Sequence, residues 1–160
     1  HYDPSSRTLR LSPQVYSGRS VAAVGIAAHE AGHAVQHASG YSLLQLRSLL
    51  VPAVQFGSSL AWPLLVFGFI VGSMGLVKLG ILAFATILLF QLVTLPVEFD
   101  ASERAKAALT TSGVVSRQEL SGVETVLSAA ALTYVAAAVS SAAQLLYFLL
   151  RSGLLSGSDE

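Results

Sequence analysis

The stretch SLLVPAVQFGSSLAWPLLVFGFIVGSMGLV, residues 48–77, carries no charged side chain. After Lys78 a second uncharged run, LGILAFATILLFQLVTLPV, covers residues 79–97. A bilayer core about 30 Å thick takes ~20 apolar residues as helix, so this region holds two crossings. They are expected near residues 53–74 and 79–94, the second continuing to about Val97, with a tight turn around residues 75–80. A third uncharged run covers residues 125–150, and its first half is dominated by alanine and serine (Ala129, Ala130, Ala131, Ala136, Ala137, Ala138, Ser140, Ser141, Ala142, Ala143). Small residues of that kind let helices pack closely inside a membrane. Composition agrees: 53% of the 160 residues are hydrophobic, 11% are charged, and the mean hydropathy is +0.65, too apolar for an ordinary soluble domain. The expected fold is mostly α, an integral-membrane helical protein with three transmembrane helices.

A hairpin of two crossings returns the chain to its starting side, so residues before 48 and those between 97 and 125 emerge together. Those flanks carry Arg7, Arg10, Arg19, Arg47, Arg104, Lys106 and Arg117, whereas Lys78 and Arg151 fall on the other side. Seven basic residues against two give a positive-inside bias that places the N-terminal part on the cytoplasmic face. The organisation expected is a membrane-surface region over 1–48, a transmembrane hairpin over 49–97, a cytoplasmic segment over 98–124, a third transmembrane helix over 125–152 and a polar tail over 153–160. The chain begins at His1 rather than methionine, and a further N-terminal segment is expected to precede it. A formal net charge of zero gives no reason to expect a nucleic-acid partner.

Within the surface region, residues 8–11 alternate like a short strand, and Ser12-Pro13 offers an N-cap and first-turn proline for a helical turn through Tyr16. Ser20 is the expected cap of a longer helix from about Val21 to Ser39, ended by Gly40. That helix contains His29-Glu30-Ala31-Gly32-His33, an H-E-x-x-H arrangement. Histidines four apart lie on one helical face, roughly 6 Å apart along the axis, and can reach one metal ion. Glu30 is turned aside, where its carboxylate can hold a water as general base, the zincin pattern. With no cysteine in the chain, thiolate zinc sites, disulfides and cysteine nucleophiles are excluded. A catalytic zinc normally takes three protein ligands. The candidates for the third are Glu98, His37, His1, Asp100, Glu103 and remoter carboxylates. Glu98 is favoured because it stands where the second crossing leaves the membrane on the motif's side, and a carboxylate there is costly unless paired, hydrated or bound to a cation. His37 continues the histidine face, but three positions spanning ~12 Å along a helix cannot all bind one ion, so His37 is expected to support the site rather than ligate. Gln36 stands where a metzincin extension would require glycine. A short amphipathic helix is expected over 115–127, leading into the last crossing.

These residues resemble a known family, the YugP-like neutral zinc metallopeptidases of bacterial membranes. The similarity covers nearly the whole chain: His1-Tyr2-Asp3-Pro4, Leu11-Ser12, the run from Ala28 to His37, Leu46-Arg47-Ser48, Val51-Pro52, the run from Thr94 to Ser102 and that from Ala129 to Ala137. The chain is more loosely similar to HtpX-type membrane peptidases, in which a glutamate beyond a membrane hairpin completes the site and an aspartate follows four residues later. Here that later position is Ser102, and the acidic residue falls at Asp100. The resemblance implies a membrane-bound zinc peptidase, usually with an additional N-terminal membrane segment.

Residues and resemblance together give the expected activity: a zinc metalloendopeptidase in the bacterial cytoplasmic (inner) membrane, its active site facing the cytoplasm. His29, His33 and Glu98 hold Zn2+, and Glu30 is the general base toward a zinc-bound water. Tyr2, Arg104 and His1 are candidate donors to the oxyanion, and an edge strand around residues 9–11 could align an extended peptide. The expected partners are a peptide or protein substrate, membrane proteins among them, and the lipid bilayer. The alternative is a non-catalytic zinc-binding membrane scaffold or degenerate peptidase. A transporter is disfavoured, because the spans contain no charged residue to line an ion path.

Overall fold

A computed structural model describes residues 1–155; the end of the polar tail expected over 153–160 lies outside the described residues. The elements are β1 (Tyr2–Asp3), β2 (Thr8–Leu9), α1 (Pro13–Tyr16), α2 (Val21–Ala38), α3 (Ser42–Val71), α4 (Met74–Ser112) and α5 (Arg117–Arg151). The molecule is mostly α, and α3, α4 and α5 are each long and apolar enough to cross a membrane. Only 22% of each helix's apolar window is buried within the chain, so most of that apolar surface is left uncovered by the chain itself.

The chain divides into two compact units. The first joins His1–Gln45 to Thr94–Tyr134. In it, β1 and β2 pair antiparallel with Tyr2 opposite Leu9 and Asp3 opposite Thr8, so the expected strand over 8–11 is only two residues long. Asp3 closes the hairpin by accepting from the hydroxyl of Ser5 (2.6 Å), the hydroxyl of Ser6 (2.7 Å) and the Ser5 amide (3.0 Å). The Ser5 and Ser6 hydroxyls hold its carboxyl well below the usual carboxylate range. Ser12 caps α1 with Pro13 in its first turn, and the Ser20 hydroxyl caps α2 by accepting from Ala23 N at 3.1 Å. Gly40 ends α2 with a positive φ of 67°, and Tyr41 N reaches back to the Gln36 carbonyl. Around Val123, which is fully buried, α2 packs with the later half of α4 and the start of α5 through Ala105, Leu109 and Leu127, joined by Val21, Val24 and Ala28.

A further expectation is corrected in this unit. Residues 115–127 do not form a separate amphipathic helix; α5 runs unbroken from Arg117. Its start is a capping box: Glu119 N donates to Ser116 Oγ (3.2 Å) and Ser116 N donates to Glu119 Oε2 (2.8 Å). Helix α4 continues past Pro96 and Glu98 to Ser112.

The second unit comprises Leu46–Val93 and the chain from Val135 on. Here the turn between α3 and α4 falls at Gly72–Ser73 rather than at residues 75–80. Gly72 takes a φ of 68°, Ser73 N closes onto the Gly68 carbonyl, and the Ser73 carbonyl accepts from Val77 N. Gly80, expected in the turn, is a packing residue: a Cβ there would lie 2.7 Å from Leu65 Cγ. Glycine lets the two helices approach closely, as small residues do in membrane bundles. Trp62, Phe84 and Phe148 meet edge to face, with centroids 5.5 to 6.4 Å apart, over a core that includes Leu65, Val77 and Ile81.

Candidate metal centre

The side chains considered below lie in the first unit. Helix α2 presents His29 and His33 on one face, their rings edge to face with centroids 4.8 Å apart. Helix α4 passes that face closely enough to bring Glu98 to both rings. His29 Nε2 lies 3.0 Å from Glu98 Oε2, and His33 Nε2 lies 3.7 Å from Glu98 Oε1. One ligand atom from each of the three residues lies within 4.8 Å of the others. Four ligands around zinc at ~2.0–2.1 Å stand about 3.3 Å apart, so the set is close to what one ion requires.

The approach depends on Gly32. A Cβ at that position would overlap the Ala101 carbonyl oxygen and lie 3.0 Å from its carbon. Any larger residue between the histidines would hold α4 away. Ala101 and Val97 are fully buried beside the site, and Glu98 is only 2% exposed. A carboxylate so placed is costly unless a cation or strong donors face it.

Hydrogen bonding fixes which histidine nitrogen faces Glu98. Gln36 Nε2 lies 2.7 Å from both the Val97 carbonyl and Asp100 Oδ2. A carbonyl and an ionised carboxylate can only accept, so the amide NH2 points at them and Oε1 faces His33 Nδ1 at 2.9 Å. His33 Nδ1 must therefore carry the hydrogen. Its Nε2, when neutral, is a lone pair turned toward the Glu98 carboxylate. Two acceptors facing each other call for a cation between them, and two imidazoles with a carboxylate are a donor set suited to zinc. His29 is held on its Nδ1 side by Ser102 Oγ at 3.1 Å.

The other expected residues have other partners. Glu30 Oε2 accepts from the Tyr2 backbone N–H at 2.7 Å, and the Tyr2 hydroxyl lies 2.8 Å from His37 Nδ1. Asp100 accepts from Arg104 Nε at 2.6 Å as well as from Gln36. Glu103 pairs with Lys106, and the His1 backbone nitrogen donates to the Arg10 carbonyl. Thus His37, His1, Asp100 and Glu103 are outside the three-residue cluster. Two residues that sequence reasoning did not select, Gln36 and Ser102, bond the far nitrogens of the two histidines. Ser102 had a signal, since it stands where HtpX-type peptidases carry an aspartate.

The comparisons with known proteins follow the same lines. A family model described as "Putative neutral zinc metallopeptidase" matches residues 1–153. The chain is 49% identical over 160 residues to a Bacillus subtilis (strain 168) protein named "Putative membrane protease YugP", an alignment covering 100% of this chain and 70% of that protein. No solved structure matches the chain. With the match running through the histidine helix, the apolar helices and the glutamate that α4 brings between the histidines, this chain belongs to the neutral zinc metallopeptidase family.

Proposed function

We propose that the chain is a membrane-embedded zinc-dependent endopeptidase with His29, His33 and Glu98 as metal ligands and Glu30 as general base. The observation that carries this reading is the convergence of both Nε2 atoms on the buried Glu98 carboxylate, beside a glutamate that the adjoining position on α2 leaves free of that cluster. Zinc bound there would supply Lewis-acid polarisation of the scissile carbonyl and ease ionisation of the attacking water. Glu30 Oε2 takes the proton from that water and returns it to the leaving amine nitrogen. Tyr2 N–H, now on that oxygen, steadies the carboxylate and must share it with the water during turnover. Ser102 Oγ holds the His29 ring from its Nδ1 side.

The same reading puts the protein in the bacterial inner membrane with the site toward the cytoplasm, supported by the seven basic residues on the flanks of the hairpin. Its substrate is an extended peptide or protein segment, membrane proteins included.

One contact favours the second reading, a non-catalytic zinc-binding membrane protein: the Tyr2 amide sits on the oxygen that the base would use. Both readings are tested on the full-length protein in detergent. Elemental analysis of wild type and Glu98→Ala should find one zinc per chain, lost in the variant. A peptide-library assay of wild type and Glu30→Gln then decides: cleavage abolished with zinc retained supports the peptidase, whereas zinc without cleavage in wild type supports the scaffold.

A further inference from the structure

We infer that Gln36, backed by Asp100 and Arg104, is the positioning residue that sets His33 in its metal-binding tautomer and clamps the histidine helix to the glutamate helix. This rests on the three-ligand reading above and extends it to residues that the reading does not use.

Gln36 is fully buried, and burial of an amide is tolerated only when its polar atoms are matched. Both donors and the acceptor are used, and each has a different task. Oε1 receives the His33 Nδ1 hydrogen, one Nε2 hydrogen goes to the Val97 carbonyl, and the other goes to Asp100 Oδ2. Val97 and Asp100 flank Glu98 by one and two positions on α4. The amide therefore ties a histidine on one helix to the backbone and side chain on either side of the carboxylate on the other.

The amide cannot turn over without setting Oε1 against a carbonyl and a carboxylate. Its orientation, and hence the histidine tautomer, is locked by acceptors on α4. Asp100 is in turn fixed by Arg104 Nε at 2.6 Å, and the Arg104 guanidinium lies 5.7 Å from the Tyr41 ring centroid and reaches Ser39 Oγ at 3.4 Å. The chain of contacts thus begins at His33, crosses to α4 and returns to the residues that end α2. Partners of this kind raise ligand basicity and commonly change metal affinity by ~10–100-fold when removed.

The test is zinc affinity of the full-length protein in detergent, by chelator competition, with the visible spectrum of the cobalt(II)-loaded form as a second readout. Gln36→Leu should lower zinc affinity about 10–100-fold and alter the intensity and position of the cobalt bands. Asp100→Ala should act in the same direction by about tenfold, and Asp100→Asn, which keeps an acceptor for the amide, should recover most of the loss. If Gln36→Leu does not fold, the pair Asp100→Ala and Asp100→Asn decides alone. Wild type and Glu98→Ala run beside them. One zinc in wild type that Glu98→Ala loses, with Gln36 and Asp100 variants binding zinc and cobalt unchanged, overturns the positioning role and leaves the ligand set intact. No zinc in wild type, or none lost in Glu98→Ala, overturns the ligand set and this inference together.

Discussion

Replacing Gly32 with alanine isolates the closeness of two helices from the chemistry of the ligands. The added methyl would overlap the Ala101 carbonyl oxygen and stand 3.0 Å from its carbon and 3.2 Å from its Cα. Carbon atoms in comfortable contact are about 3.5–4.0 Å apart, so α4 must move away from α2 by roughly 0.5–1 Å. No side-chain rotation can absorb this, because every atom met is backbone. Metal–ligand distances tolerate only about ±0.2 Å, so a shift of that size at Ala101, three residues beyond Glu98, strains the site. Overpacking of this kind costs ~1–3 kcal/mol. If the strain is borne when zinc binds, affinity falls by about 5–150-fold, at ~1.4 kcal/mol per factor of ten. The assay is chelator competition and thermal unfolding of the detergent-purified protein, with Gly25→Ala as the control. At Gly25 the new Cβ would meet only a Val123 methyl at 3.3 Å, and a side chain can give way. Gly32→Ala binding zinc as tightly as wild type, with the same unfolding temperature, would refute the argument that this glycine sets the spacing.

Four further outcomes are expected. Glu30→Gln should keep zinc and lower peptide cleavage by about 10²–10⁴-fold, and undiminished turnover would remove Glu30 as base. Ser116→Ala should cost about 1 kcal/mol by breaking the capping box and speed hydrogen exchange at the amides of residues 117–119, leaving zinc content unchanged. Because the chain has no cysteine, single cysteines at Thr110 and at Ser73 report topology directly. In intact cells an impermeant thiol reagent should label Ser73→Cys but not Thr110→Cys, and the reverse pattern would invert the proposed orientation. Finally, the lowered carboxyl of Asp3 means that its stabilisation of the β1–β2 hairpin is present above the ordinary value of 3.8 and fades as pH falls below it. Backbone NMR shifts of Ser5 and Ser6 should accordingly hold from pH 7 to about 5, and movement within that range would contradict this contact.

Much of the architecture was legible because its causes are local. Uncharged runs announce apolar helices, Ser12-Pro13 and Ser20 announce helix starts, and histidines four apart share a face whatever surrounds them. Glycine was the main source of error, since the same residue serves turns and close helix packing. Gly80 was read as the first, and contact with Leu65 makes it the second; the turn lies at Gly72–Ser73. The Ser116–Glu119 capping box is written in the sequence and marks where α5 starts, but the expected short helix over 115–127 did not use it. Gln36 was out of reach for another reason: its partners on α4 are 61 and 64 residues away in sequence, and nothing about a glutamine three places after a histidine announces them.

Within the first unit, Glu98, Ala101 and Ser102 stand on about one turn of α4, so the carboxylate, the backbone that meets Gly32 and the hydroxyl beside His29 move as one piece. A displacement of this turn against α2 alters all three contacts together, so the cluster assembles or loosens as a unit rather than one partner at a time.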